Sequence, residues 1–302
     1  MTYTIAHITD LHIPSPQEFK KGDKNIKRIL GHMSWERNRK AKHLHSVLDA
    51  LRKDLKERKP DYLCITGDQT NLGLDNEYDL SRRWIEQLRD ELGLNDTQIS
   101  VIPGNHDAYG AGFYEKIDKH WSQWIKSDNG DSGFPFIRAA GPAAIIGLSS
   151  AVETLPFYAN GILGTNQMDK MQELVKTVPQ DKLSIILCHH PVQDHAAVKR
   201  KALWDAKAFQ QRLTQEPQID VVLHGHTHRI HHEFLQGPEK DVAVIGSGSA
   251  SYAKRAHYAL LEINEKSLKD SMITHRYYKK DSGKFEDGGS VKLYKTDEQK
   301  AA

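Results

Sequence analysis

Asp10-Leu11-His12 closes the first apolar run of the chain, and four later runs end in side chains of the same kind. YLCIT leads into Gly67-Asp68-Gln69-Thr70-Asn71, and ISVIP into Gly104-Asn105-His106-Asp107. LSIILC leads into His189-His190-Pro191, and VVLH into Gly225-His226-Thr227-His228. Asp, Asn and His are metal ligands, and no Lys or Arg is interleaved among them to neutralise the carboxylates. Carboxylates and neutral imidazoles crowded at one edge require a cation. A nitrogen and oxygen set without thiolate suits Zn, Mn, Fe or Co; it suits Mg or Ca poorly, since those favour oxygen-only shells. The i, i+2 spacing in DLH and GHTH puts both side chains on one side of an extended chain. The glycines before Asp68, Asn105 and His226 permit tight turns and close approach to an ion.

These residues need a scaffold that brings five segment ends together. Short β-branched runs alternate with longer helical patterns, the signature of an α/β fold. Helical stripes are predicted in HLHSVLDALRKDLKERK, in EYDLSRRWIEQLRDEL with Gly93 as C-cap, in TNQMDKMQELVKTV with Thr165 as N-cap, and in DAKAFQQRLTQ. HYALLEI and DSMITHRYY are expected to pair as a hairpin around NEKSLK. In open α/β sheets, ligands bind outside the carboxyl ends of the strands, which is where all five motifs fall.

The motifs DLH, GDQTN, GNHD, HHP and HGHTH, in this order, resemble the calcineurin-like metallophosphoesterases. The resemblance runs from about residue 5 to about residue 250. It implies a four-layer α/β/β/α sandwich, two mixed β-sheets flanked by helices, around a binuclear metal centre. Carried over residue by residue, it implies that Asp10, His12, Asp68 and His228 hold one ion. Asp68, Asn105, His189 and His226 would hold the other, with Asp68 bridging. His189 rather than His190 is taken because the family's ligand directly follows the strand. His224, His231 and His232 are expected outside the ligand set. The position of His106 in the family faces substrate, where it would stabilise the phosphoryl group or protonate the leaving alkoxide. Asp107 is read as a partner of His106 that sets its tautomer, or as a turn-capping residue. Asn71 is read as a substrate contact, a group behind the ligands, or a turn residue. The metals, Mn, Fe or Zn, would lie about 3.5–4 Å apart and share a hydroxide that attacks phosphorus in line.

The 302 residues are expected to form one domain over 1–278, with a polar tail at 279–302. Residues 14–43 are strongly basic and too long for an ordinary connection, so they are read as a solvated insertion or as a lid bringing positive charge to the site. Lys199, Arg200 and Lys201 are either a solvated charge run or a phosphate contact. A net charge of +2 gives bulk electrostatics no reason to favour nucleic acid or membrane. No apolar run approaches the roughly 20 residues of a membrane helix. The start of the chain lacks the pattern of a signal peptide. Cys64 and Cys188 sit in apolar runs and are expected as reduced, buried thiols. The expected compartment is the cytoplasm, and homo-oligomerisation is left open.

Departures from subfamily patterns narrow the activity. Purple acid phosphatases carry Tyr where this chain has Asn71, and GDQTN differs from the GDxVDRG of protein phosphatases. UDP-diacylglucosamine hydrolases carry Arg where this chain has His106. The remaining resemblance is to bacterial class III cyclic nucleotide phosphodiesterases and glycerophosphodiesterases. The expectation is a binuclear metal-dependent phosphodiesterase acting on a small phosphodiester, a 3′,5′-cyclic nucleotide such as cAMP being the first to try. The alternatives are a phosphomonoesterase or pyrophosphohydrolase on a sugar, lipid or nucleotide, a nuclease using the basic segment, and a non-catalytic scaffold.

Overall fold

The computed structural model describes residues 2–15, 19–20, 23, 25–193 and 196–295. Part of the basic segment and residues 296–302 of the expected tail lie outside the described residues. The elements are β1 (Thr2–Ile8), α1 (Ile26–Ser34), α2 (His45–Arg58), β2 (Tyr62–Thr66), α3 (Asp75–Leu92), β3 (Ile99–Ile102) and α4 (Phe113–Trp121). There follow β4 (Phe136–Ala140), β5 (Ala143–Gly147), α5 (Thr165–Val175), β6 (Leu183–Leu187), α6 (Ala206–Gln215) and β7 (Ile219–His224). The chain continues through β8 (His231–Leu235), β9 (Val242–Gly246), β10 (His257–Asn264), β11 (Met272–Lys279) and β12 (Lys284–Lys292).

The strands form two six-stranded mixed sheets, ordered β12-β11-β10-β1-β2-β3 and β4-β5-β6-β7-β9-β8. In the first, β1, β2 and β3 run parallel, and β10 returns antiparallel beside β1. In the second, β5, β6, β7 and β9 run parallel, with β4 and β8 antiparallel at the edges. Alternation along the strands divides the core. Ile145, Ile185, Val221 and Ile245 join the cluster that contains the first sheet and helices α2, α3 and α4. Their neighbours Ile146, Ile186, Val222 and Val244 turn to the opposite face and pack with Met168, Met171 and Val175 of α5 and Phe209 and Leu213 of α6. Both faces of the second sheet are therefore covered, which is why its central strands read as unbroken apolar runs. This is the four-layer arrangement expected.

Several local readings change. The helix expected to be capped by Thr165 begins at that residue, with Gly164 at the cap position. Asp205 takes the backbone N–H groups of Leu163 and Gly164 there, a job the local sequence does not reveal. Residues 284–292, expected within a polar tail, form β12 instead. A charged, glycine-bearing strand suits an edge with one side open to solvent, and β12 pairs antiparallel with β11. Gly93 ends α3 with φ 69, as its position suggests. Cys64 and Cys188 are buried and form no disulfide. Among the described residues no helix is long and apolar enough to cross a membrane.

The first sheet is tied to α2 by a buried ion pair. Arg276 of β11 donates from Nε and Nη2 to both oxygens of Asp54 at 3.0 and 2.7 Å, and the Tyr258 hydroxyl of β10 donates to the same carboxylate. Removing one member strands the other charge in the core. Arg276→Ala should therefore lower stability by about 3–5 kcal/mol, read from urea unfolding. A loss below about 1 kcal/mol would mean that solvent already screens the pair.

Candidate metal centre

The carboxyl ends of β1, β2 and β3 from one sheet meet those of β6 and β7 from the other. Beyond its strands, the first sheet keeps its register: Asp10 and His12 donate backbone N–H bonds to the carbonyls of Gly67 and Asp68 at 3.0 and 2.9 Å. This lays the DLH turn along the GDQTN turn. Non-glycine residues with positive φ are uncommon. Seven occur among the described residues, and five of them are Asp10, His12, Asp68, His226 and His228. Each left-handed residue costs about 1 kcal/mol or more, so the backbone is strained where these side chains converge. Glycines supply the clearance. A Cβ on Gly104 would lie 2.2 Å from Asp68 Oδ1, and one on Gly225 would lie 2.5 Å from Asp10 Oδ2.

The seven expected ligands come together, and their donor atoms fit metal ions on three counts. The first is spacing. His228 Nε2 lies 3.1 Å from Asp10 Oδ1 and 3.4 Å from His12 Nε2. Asp68 Oδ2 lies 3.8 Å from His12 Nε2 and 3.5 Å from His189 Nε2. Donors about 2.0–2.2 Å from one ion are separated by about 3–3.5 Å. Three groups of this kind are present: Asp10 with His12 and His228, Asp68 with His189 and His226, and His12 with Asp68 and His106. Asp68 thus stands in the set with His189 and His226 and also faces His12, the position of a bridge. The second count is unmet valence: the buried atoms Asp10 Oδ1, Asn105 Oδ1, His189 Nε2 and His226 Nε2 have no hydrogen-bond partner. Leaving so many buried polar atoms bare is costly.

The third count is how the remaining atoms are occupied. His189 Nδ1 lies 2.7 Å from Thr66 O and His12 Nδ1 lies 3.2 Å from Thr70 O. A proton on each Nδ1 leaves the Nε2 lone pair facing the centre. Asp10 Oδ2 accepts from Thr9 Oγ1 at 2.8 Å and from the His226 backbone N–H at 2.9 Å, while Oδ1 stays open. Asp68 Oδ1 accepts from the His106 backbone N–H at 2.7 Å, while Oδ2 faces the imidazoles. The charges are coupled as well. Burial works against the His189 cation, but Asp68 more than offsets it and raises the imidazole to about 9. Burial likewise opposes the Asp68 anion, yet His189 and His106 hold it well below the usual carboxylate range. A divalent ion would replace that shared proton as the positive charge.

The matching family description is Calcineurin-like phosphoesterase, over residues 3–229. The chain belongs to the calcineurin-like phosphoesterase family. It is accordingly an enzyme that hydrolyses phosphoric esters. Over 240 residues this phosphoesterase is 28% identical to a probable cyclic nucleotide phosphodiesterase of Synechococcus sp., covering 78% of this chain and 76% of that protein. It is 25% identical over 177 residues to a probable glycerophosphodiester phosphodiesterase GpdQ of Arcobacter nitrofigilis, covering 57% of this chain and 58% of that protein. In structure it resembles a dimetal phosphatase from Danio rerio, with a TM-score of 0.67 at 11% identity over 97% of this chain and 99% of that one. It also resembles the purple acid phosphatase PPD1 of yellow lupin seeds, with a TM-score of 0.58 at 12% identity over 100% of this chain and 55% of that one. At such identities these two likenesses speak to the fold.

Other sequence-based assignments of the phosphoesterase fare differently. His190 is buried with both ring nitrogens engaged, Nδ1 by the Ser150 hydroxyl at 2.7 Å and Nε2 by Ala159 O at 3.1 Å. His224 is buried behind the centre, and a Cβ on Gly246 would lie 2.6 Å from its ring. Asp107 is not a partner of the His106 ring. Its carboxylate accepts the backbone N–H groups of Asp68, Gln69, Thr70 and Gly104 and the Thr70 hydroxyl, all at 2.8–3.1 Å. It clamps the GDQTN turn to the GNHD turn. The Asn71 side chain turns away from the cavity and donates to Ile13 O at 3.0 Å. What it contributes to the site is its carbonyl, 2.8 Å from His106 Nδ1.

A cavity of about 340 Å³ opens over the centre, bordered by His12, Asp68, Asn105, His106, His226 and His228, a size that suits a small ligand. Two bordering residues were missed by motif reading. His43 lies with its ring 4.7 Å from His12 and bonds Ser251 Oγ at 2.7 Å. Arg39 sits in the π-helical turn 35–39 and reaches His106. Only the basic character of 14–43 pointed to either.

Because Gly104 abuts both Asp68 and His189, Gly104→Ala should cut Mn²⁺ affinity by about 10–100-fold, as disturbing groups behind a ligand does elsewhere. Titration calorimetry reads this directly. Unaltered affinity would show that the turn has room that the geometry denies.

Proposed function

We propose that this phosphoesterase is a binuclear metal-dependent phosphodiesterase of small substrates, with a 3′,5′-cyclic nucleotide as the first class to assay. The observation that supports it most directly is the meeting of Asp10, His12, Asp68, Asn105, His189, His226 and His228, four of them with a bare ligand atom. Asp10, His12, Asp68 and His228 would hold one ion and Asp68, Asn105, His189 and His226 the other, Mn, Fe or Zn by the chemistry of the donors. When bound, the ions supply Lewis acidity, activating water and offsetting charge on the phosphate. The phosphodiesterase names of the two relatives favour a diester over a monoester.

The chain's own groups do the rest. The His106 contact with Asn71 O requires the ring proton on Nδ1, so Nε2 presents a lone pair. Burial, reinforced by Arg39 and opposed by Asp68, pushes His106 down to about 3. The resting ring is neutral, so the proton it hands from Nε2 to the leaving oxygen must first be taken up there from the attacking water. Asp107 fixes the two turns that carry Asp68 and Asn105, and the Asn71 carbonyl fixes the His106 ring.

Asp68→Ala should lose both ions together, because it stands in both ligand sets; elemental analysis showing two ions still bound would refute the bridge. His106→Ala should keep metal content, since the backbone N–H that bonds Asp68 is retained. Its turnover of phosphodiesters should fall by about 10²–10⁴-fold. Wild-type turnover by that variant would remove His106 from the reaction. Assays of metal-loaded protein against matched mono- and diesters decide the ester class, and a monoester preference would overturn the diesterase reading.

A further inference from the structure

Arg39 forms no ion pair with a carboxylate among the described residues; Tyr109 bonds its side chain, and Asp68 and Glu77 act on its charge only from farther away. Its Nη2 donates to Gly31 O at 3.1 Å and its Nη1 approaches Asn71 O at 3.5 Å. Nη1 also lies 2.9 Å from His106 Nδ1 and 3.3 Å from Nε2. With the Nδ1 proton committed to Asn71, Nη1 lies against the imidazole edge without a hydrogen bond to Nδ1, and the Nε2 lone pair is left for the substrate side. The Arg39 Nε is buried and has no hydrogen-bond partner. Among the described residues no carboxylate forms an ion pair with Arg39, and burial works against its charge. An unpaired guanidinium in a cavity marks the place of an anion that arrives from outside. Arg39 borders the same cavity as the ligands, so the scissile phosphoryl group answers it.

That leaves four more cations on the border: Lys27, Lys42, Lys201 and Arg255. Asp68 is the one carboxylate among the described border residues, and it is committed to the centre. Lys27 bonds the Thr154 hydroxyl at 2.7 Å, and Arg255 lies over the Tyr252 ring at 5.0 Å. Phe157 stands at the mouth, 77% exposed, with φ 71. An exposed aromatic held in a conformation that disfavours it, beside Tyr252, offers flat faces on which a base can stack. A simple cyclic nucleotide carries one negative charge, which Arg39 and the ions already meet. It would leave Lys42, Lys201 and Arg255 with no anion to meet, since no carboxylate among the described residues pairs with them.

We propose that the preferred substrate is a nucleotide phosphodiester bearing a further phosphate or comparable anionic group, held by Lys42, Lys201 and Arg255 while Arg39 faces the scissile phosphoryl. This rests on the phosphoesterase reading and narrows it: plain cAMP should be the poorer substrate.

The test is binding without turnover. The full-length, Mn²⁺-loaded protein is titrated calorimetrically with adenosine 3′,5′-bisphosphate and with AMP, which share base, ribose and one phosphate. The bisphosphate should bind about 10-fold or more tightly than AMP. In the Lys42→Ala/Lys201→Ala/Arg255→Ala variant the ratio should fall to within about twofold. All three side chains are exposed; Lys201→Glu alone, from an exposed loop, should lower the ratio too, which guards against a fold defect in the triple variant. Arg39→Ala should weaken both nucleotides alike. Equal affinities in the wild type, or a ratio that survives in the variants, would overturn the second anion site. A change in the ratio on Arg39→Ala would overturn the division of roles. Failure of the phosphodiesterase reading would show separately, as absent hydrolysis of every ester by protein that still discriminates the two nucleotides.

Discussion

Positive charge is the constraint on which this architecture rests. Two buried carboxylates, one amide oxygen and four imidazole nitrogens face one another across gaps of 3.1–3.8 Å where those are resolved. Lone pair meets lone pair, and no donor among the described residues reaches several of them. In isolation such a cluster would repel itself apart. What keeps it together is partly borrowed protons and partly a framework stiff enough to hold the turns in left-handed backbone conformations. Divalent ions would turn that repulsion into binding energy, so strain held by the fold becomes affinity.

The framework is built in rings around the ligands. Backbone carbonyls of Thr66 and Thr70 orient His189 and His12. The Ser249 hydroxyl donates to Asp10 O, and Ala250 donates to Thr9 O. Asp107 binds two turns with a single carboxylate, pushed up to about 7 by burial and by Asp68 although its five donors favour ionisation. Each ring depends on the one outside it, down to strands whose side chains alternate between two hydrophobic clusters.

The ligand set was legible in the sequence because each member sits within a few residues of a strand end, and a parallel sheet sends those ends to one edge. The layers were legible because strands covered on both faces read as unbroken apolar runs. What escaped depends on contacts between segments distant in the chain. Asp107 reads as a partner of His106 or as a turn cap; the cap it makes takes in Gly104 nearby, but its reach to a turn almost forty residues earlier was not legible. Asn71 carries an amide of the right chemistry, but Ile13 claims that amide and only the carbonyl faces the site. Arg39 lies in a stretch with no periodic pattern and His43 at the very start of a predicted helix, so their approach to the centre could not be read from spacing. Nothing in KFEDGGSVK marks it as a strand except the partner that it finds in β11.

The basic segment is moored at its middle and at its close. Midway along it, Arg28 donates to the carbonyls of Leu72 and Gly73, and Asn25 caps α1 by accepting from the Arg28 N–H. At its close, Ala253 donates to Lys42 O, and His43 bridges to Tyr252. Between those moorings the segment contributes no member of the ion-holding set. Apart from Arg39, the charge and shape of this strap can therefore be rewritten, trading one cargo for another, without touching a residue that holds an ion.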